Sequence, residues 1–299
     1  MSHRVEERSF GLGCLSPMNL LYFMVVLSGN LPFKAGVVVT AKASVRPILT
    51  FQNFSLRCDK SDPGVSFKQP WNWDLSSGKR IAVITTNSYL RYQLIVGLAG
   101  LVPPVSGDFY GDGVIGWPVG GEGGLDSKLR VSHALSFLSN VYGDCLENSR
   151  ISYDEVWKLL EEVSIYPQLI IKELTKTQKD FFFLALSVLF SFDLYLIPKT
   201  KFLMSKAAKP LRRLLLKQIE GKSLIATSTN SRFLREFCAD GLVLGSFGEI
   251  LFSGELSESM QWARDNLEGF DVSDSEDDKF DVGLNLTNSE SSDNQDDDF

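Results

Sequence analysis

Alternating apolar and polar residues mark the first clear element of this chain. From Pro47, ILTFQNFSLRC switches character residue by residue, as a strand with one buried face does. Further on, the alternation gives way to short apolar runs: RIAVIT from Arg80, DLYLIP from Asp193 and SLIATS from Ser223. Such runs predict strands covered on both faces. Between them the period lengthens to that of a helix. QLIVGLAGL is an apolar helical segment whose two glycines allow close packing. RVSHALSFLSNVYG and YDEVWKLLEEVSIY have helical spacing, the second amphipathic with Tyr153 and Asp154 near its start. TKTQKDFFFLALSVLFSF is nearly all apolar after Asp180 and predicts a core helix. AAKPLRRLLLKQIEG predicts a cationic amphipathic helix with Pro210 in its first turn and Gly221 past its end. SRFLREFCAD reads as a helix and GLVLGSFGEILFSG as a hairpin. Residues 102–124 are rich in Pro and Gly and predict loop and short strand. Strands alternating with helices imply an α/β fold with a largely parallel sheet. An early antiparallel strand set and a helical middle section are added to it.

Composition sharpens the domain picture. With 299 residues and 44% apolar content, the chain can bury a sizeable core. Its net charge of −7 is unevenly spread. From Asp271 onward there are nine Asp, two Glu and one Lys, which leaves the remainder slightly cationic. That tail, poor in apolar residues and dense in like charge, predicts disorder. We therefore expect an N-terminal extension at 1–46, a folded domain at 47–268 and an acidic tail at 269–299. Met18 to Leu27 is apolar but too short to span a membrane. Glu6 and Glu7 ahead of it argue for a dispensable leader, or an early start, over a secretion signal. Cys14, Cys58, Cys145 and Cys238 lie far apart and suggest reduced thiols rather than a zinc site or disulfide framework. His3 and His133 give little material for histidine catalysis, and His133 reads as a surface residue. GDFYGDGVIG reads as a series of β-turns, not a dinucleotide motif. The chain lacks the aromatic-basic interleaving of nucleic-acid binders.

Several segments in this order resemble the ATP-binding cassette subunits of ABC transporters, most of all those of capsule-polysaccharide and O-antigen exporters. SGKRIAVI is similar to the strand entering the nucleotide loop, LAGLVPPVSG to the following helix end and turn, and GVIGWPVGGEGGL to the Trp-Pro stretch of capsule exporters. SFDLYLIPK, IATSTNSRFLREFCADGLVL and FGEILFSGE resemble the later strands and the terminal hairpin. The resemblance covers roughly Ile48 to Asn266. It implies a P-loop NTPase-like cassette: a mostly parallel core sheet, an antiparallel β subdomain and a helical subdomain.

The same resemblance assigns the chemical positions, and most hold unexpected residues. A phosphate cradle needs glycines so that successive amides can point inward. Where the family has G-x-N-G-x-G-K-S-T, this chain has TTNSYLRYQ. Asn87 matches; Thr85, Ser88 and Leu90 take the glycine positions, Arg91 the lysine, and Tyr92 and Gln93 the last two. The Asp-Glu pair that orients magnesium and the attacking water becomes Pro198 and Lys199. The coupling-loop Gln aligns with Asp126, the signature Ser-Gly with Lys176 and Thr177 in LTKTQ, the next loop's Asp with Ser205 and the switch histidine with Thr229. The adenine-stacking aromatic aligns with Cys58.

These departures predict a pseudo-ATPase with no catalytic or metal-binding residues and with ATP and Mg²⁺ binding lost or weak. The resemblance implies a peripheral, cytoplasmic position at the inner face of the membrane. Its partners would be an ABC-2 type permease, a competent cassette, or both, as a homo- or heterodimer, with binding resting on residues 130–180. The alternatives are a nucleotide site rebuilt around Arg91 and Lys199, and an adaptor no longer linked to transport.

Overall fold

The computed structural model describes residues 47–198 and 200–270. The expected leader, Lys199 and the acidic segment 271–299 lie outside the described residues.

Five strands form the central sheet: β3 (Arg80–Ile84), β5 (Leu194–Ile197), β6 (Ser223–Ala226), β7 (Asp240–Leu244) and β8 (Ile250–Glu255), in the order β5-β6-β3-β7-β8. The first four are parallel; β8 returns antiparallel to β7, as the predicted hairpin requires. A second sheet joins β1 (Pro47–Ser55) to β2 (Asp74–Ser76) and β4 (Ser106–Tyr110), both antiparallel. The glycine-rich stretch that reads as a turn series thus contributes an edge strand at Gly107–Tyr110, because β1 offers it a free backbone ladder.

The central strands lack alternation because both faces are covered. Ala82, Ile84, Tyr195, Ile197, Leu224, Ala226 and Val243 join one apolar cluster. Their neighbours Val83, Leu194, Leu196, Ile225, Leu242 and Leu244 join the other, as a period of two dictates. On the second face lies α1 (Ser88–Leu98), packed against the antiparallel sheet. A Cβ at Gly97 would stand 2.9 Å from Leu56 Cδ2, so that glycine permits the close approach.

The first face carries the helical section: α2 (Val131–Val141), α3 (Gly143–Glu147), α4 (Tyr153–Glu162) and α5 (Lys176–Leu189). Beside it lie α6 (Lys201–Met204), α7 (Lys209–Gln218), α8 (Ser231–Phe237) and α9 (Leu256–Asn266). Capping boxes open α4 at Ser152–Glu155 and α5 at Thr175–Gln178. Phe181 to Leu189 are all buried, so α5 is the core helix its composition predicts. Pro210 sits in the first turn of α7 and Gly221 follows its end. The predicted elements end at the hairpin, and α9 follows it as an addition. Among the described residues, no helix is long and apolar enough to cross a membrane.

Candidate functional site

In a parallel sheet, ligands bind at the edge where the strands end. Here that edge gathers the residues following β3, β5 and β6, since Ile81 and Ala82 stand beside Ile225 and Ala226, and Ile197 beside Ala226. Thr85, Pro198 and Thr229 therefore share one end of the sheet.

The connection between β3 and α1 is shorter than the nine-residue segment TTNSYLRYQ that aligns with the nucleotide loop. It contains three residues, Thr85, Thr86 and Asn87, and the helix begins at Ser88. Ser88, Leu90, Arg91, Tyr92 and Gln93 are all helical. Nothing in TTNSYLRYQ stops a helix, and Asn87 is a strong N-cap in extended conformation. Its Oδ1 accepts from the Leu90 amide at 3.0 Å. Its Nδ2 donates at 2.8 Å to the carbonyls of both Cys58 and Ser246. One side chain thus ties α1 to the end of the antiparallel sheet and to the β7–β8 turn.

Other donors of the turn are committed in the same way. The Asn87 amide bonds Thr85 Oγ1 at 3.2 Å, and the Arg91 amide bonds Asn87 O at 3.1 Å. The Arg91 guanidinium folds back to donate to Thr85 O at 2.8 Å. No residue from Thr85 to Gln93 has positive φ, so the backbone lacks the alternation that points successive amides into a common hollow. Thr85, Leu90 and Gln93 are buried.

Beside this turn, hydroxyls bond to one another. Thr200 Oγ1 and Ser228 Oγ lie 2.9 Å apart, both buried, and Ser228 Oγ accepts from the Asn230 amide. Asn230 caps α8 through the Phe233 amide. Thr229 is half-buried next to them and Pro198 follows β5 directly; Lys199 lies outside the described residues. The polar run TSTNS between an apolar strand and a helix is the sequence signal for this network. Asp193, the acid on the β5 segment, is at the opposite end, bonded to Lys222 Nζ at 2.9 Å and to the Val114 amide. Among the described residues, no group of His, Cys, Asp and Glu is placed to hold a metal ion.

The remaining predicted positions are spread over the helical side, apart from Cys58, which belongs to the antiparallel side. Asp126 is exposed and accepts from the Lys128 amide. Lys176 and Thr177 are exposed in the first turn of α5, where Gln178 of the same motif donates to Val163 O. Ser205 ends α6 and its Oγ accepts from the Ala208 amide. Cys58 is buried, and burial, then Glu249, raises its thiol to about 11. Trp117, from the Trp-Pro stretch, is buried against Phe190, Phe192 and Tyr142 and donates to Ser187 Oγ. His133 is exposed.

No family model matches the chain. It is 28% identical over 185 residues, 61% of its length and 83% of the relative's, to the polysialic acid transport ATP-binding protein KpsT of Escherichia coli. It is 24% identical over 184 residues, 60% of its length and 79% of the relative's, to the capsule polysaccharide export ATP-binding protein CtrD of Neisseria meningitidis. The ATP-binding protein BexA of Haemophilus influenzae matches at 24% over 177 residues, 58% of this chain and 78% of that one. Among solved structures, the ATP-binding subunit of an ABC transporter superposes with a TM-score of 0.51 at 17% identity, covering 73% of this chain and 93% of that one. A transporter described as of metal-chelate type gives 0.51 at 15%, covering 71% and 84%. The chain is a homologue of the ATP-binding proteins of capsule-polysaccharide export, built on the fold of an ABC cassette.

Proposed function

We propose that this chain is a non-catalytic cassette subunit of a polysaccharide exporter. It acts as a structural or regulatory partner of a membrane permease or of a competent cassette, at the inner face of the membrane. The observation that carries the reading is the closed turn before α1. Its amides at Asn87, Leu90 and Arg91 and the Arg91 guanidinium already have acceptors within the protein. A triphosphate would have to displace those bonds and unwind the first helical turn. Pro198 offers no carboxylate for magnesium, and the Thr200–Ser228 pair is a neutral network. These residues do not fit a magnesium nucleotide and supply no group for a hydrolytic step.

The relatives are described as ATP-binding proteins, which favours a second reading: a weak nucleotide site rebuilt around Arg91 and Lys199. One measurement separates the two. Unfolding of the purified chain is followed with increasing Mg-ATP, since a ligand of the folded state raises Tm with concentration. The non-catalytic reading expects no rise; a graded rise selects the rebuilt site. A tagged chain in its native host is expected to recover a permease or an active cassette. Recovery of neither would leave the adaptor reading in its place.

A further inference from the structure

Three helices, α7, α8 and α9, cover one face of the central sheet. Arg212 of α7 pairs with Glu236 of α8 at 3.5 Å. Between α8 and α9 lies a cavity of about 460 Å³, lined by Arg235 and Ala239 on one side and by Glu255, Leu256, Met260 and Arg264 on the other. Arg235 is exposed and has no ion-pair partner among the described residues. Arg264 reaches a neutral acceptor, Gln261 Oε1, at 3.3 Å. Against one carboxylate, Glu255, the rim holds two guanidinium groups. Arg232 on α8 and Lys209 and Arg213 on α7 add further cations to these helices. Of their other carboxylates, Glu236 on α8 is paired with Arg212, Asp265 on α9 accepts from Gln261 Nε2, and Glu258 lies on α9.

The chain leaves α9 close to this cavity and turns back toward the protein. Leu267 closes the last helical turn onto Ala263 O, Gly269 has φ +70°, and Phe270 packs against the apolar cluster under the helices. The next residues are DVSDSEDDKF, with five carboxylates and one lysine in residues 271–280. Fully extended, ten residues reach about 33 Å, twice the ~16 Å length of an eleven-residue helix such as α9. Reach and charge therefore both suit a fold-back.

We propose that residues 271–280 lie back along α9 in the α8–α9 cavity, with the acidic run Asp274–Asp278 received by Arg235 and Arg264. Guanidinium groups suit this role because each can hold a carboxylate through two parallel N–H bonds. Tethering by a short segment gives the tail an effective concentration in the millimolar range, so modest ion pairs suffice. Such contacts weaken with salt.

Lys279 is the one tryptic site of the tail, so cleavage there, followed by mass spectrometry, reports docking in the full chain. A synthetic peptide of residues 271–299 supplies the unprotected rate at each salt concentration. At about 20 mM salt, where charges act over some 20 Å, Lys279 in the protein is expected to be cut several-fold more slowly than in the peptide. At about 0.5 M salt the two rates converge. The double variant Arg235→Glu, Arg264→Glu loses the low-salt protection. Its positions are exposed, and an unchanged thermal unfolding profile confirms its fold. Equal rates for protein and peptide at low salt would overturn the proposal, and this comparison needs no variant. So would protection that survives the double reversal, which places the tail elsewhere, or protection that grows with protein concentration, which makes a second copy the docking surface.

Discussion

At the scale of single residues, Asn87 shows how a position kept from a resembling motif can hold a different contact set. Its side-chain amide caps α1 and donates to the Cys58 and Ser246 carbonyls. Replacing it with Ala removes all three bonds, at a cost of about 2–3 kcal/mol in urea unfolding. Asn87→Asp keeps the cap acceptor but turns a donor toward two carbonyls into a negative charge. It should be no more stable than Asn87→Ala, whereas a purely capping role would leave Asp close to wild type. Cys58, bonded through its carbonyl to that same side chain, sets a second expectation. Burial raises its thiol from an ordinary 9.0 to about 11, and burial raises Cys238 from the same value to about 12. The folded state thus holds these protons more tightly than the unfolded chain. The associated stability is fully present below about pH 9 and is lost as pH rises through 11 and 12, on the order of 1 kcal/mol per pH unit per thiol. Urea midpoints measured across that range should fall, and Cys58→Ala should make the fall shallower; an unchanged slope would remove the thiol from the account.

At the scale of elements, most boundaries are legible because local chemistry and tertiary demand agree. Ser152 and Glu155, or Thr175 and Gln178, announce a helix start in sequence and form it in space. Asn87 announces one too. The resemblance to a nucleotide loop hides it, because it imposes an extended segment on residues that by propensity continue a helix. The hydroxyl network of Thr200 and Ser228 is only half legible, through the polar run TSTNS, for another reason: the partners are 28 residues apart and meet only when β5 and β6 pair. α9 follows a hairpin with a mixed surface pattern, and its packing on β7 is what orders it. The Trp-Pro segment gives an element-scale prediction. Ser187 Oγ accepts from Trp117 Nε1 and from the Gly120 amide while donating to Phe183 O. Ser187→Ala leaves two donors without their acceptor, one of them the buried Trp117 Nε1, and should cost about 1–3 kcal/mol, with a shift in tryptophan emission as Trp117 loosens. Neutral stability with unchanged emission would mean that aromatic packing alone holds the segment.

At the scale of the whole molecule, the order of strands and helices carries the fold, because fully covered parallel strands leave a plain apolar signature. The two clusters that cover them share the sheet as a common wall, each taking alternate residues of the same strands. A wall shared in this way couples the clusters, since neither can lose its packing without exposing strands that the other needs. Tryptophans report on both: Trp71 and Trp73 belong to the antiparallel side, Trp117, Trp157 and Trp262 to the helical side. Unfolding followed by tryptophan emission and by far-ultraviolet circular dichroism should therefore give coincident transitions. The antiparallel sheet also leans on the β7–β8 turn through Trp71 Nε1 to Gly248 O at 2.9 Å and the Lys68 amide to Phe247 O. Asn87 adds its two bonds to that seam. In Asn87→Ala the seam weakens while both clusters remain intact, so the emission transition should move ahead of the dichroism. Coincident curves in the variant would show that the shared sheet alone makes the molecule cooperative, and that closing the turn stabilises α1 without joining the two halves.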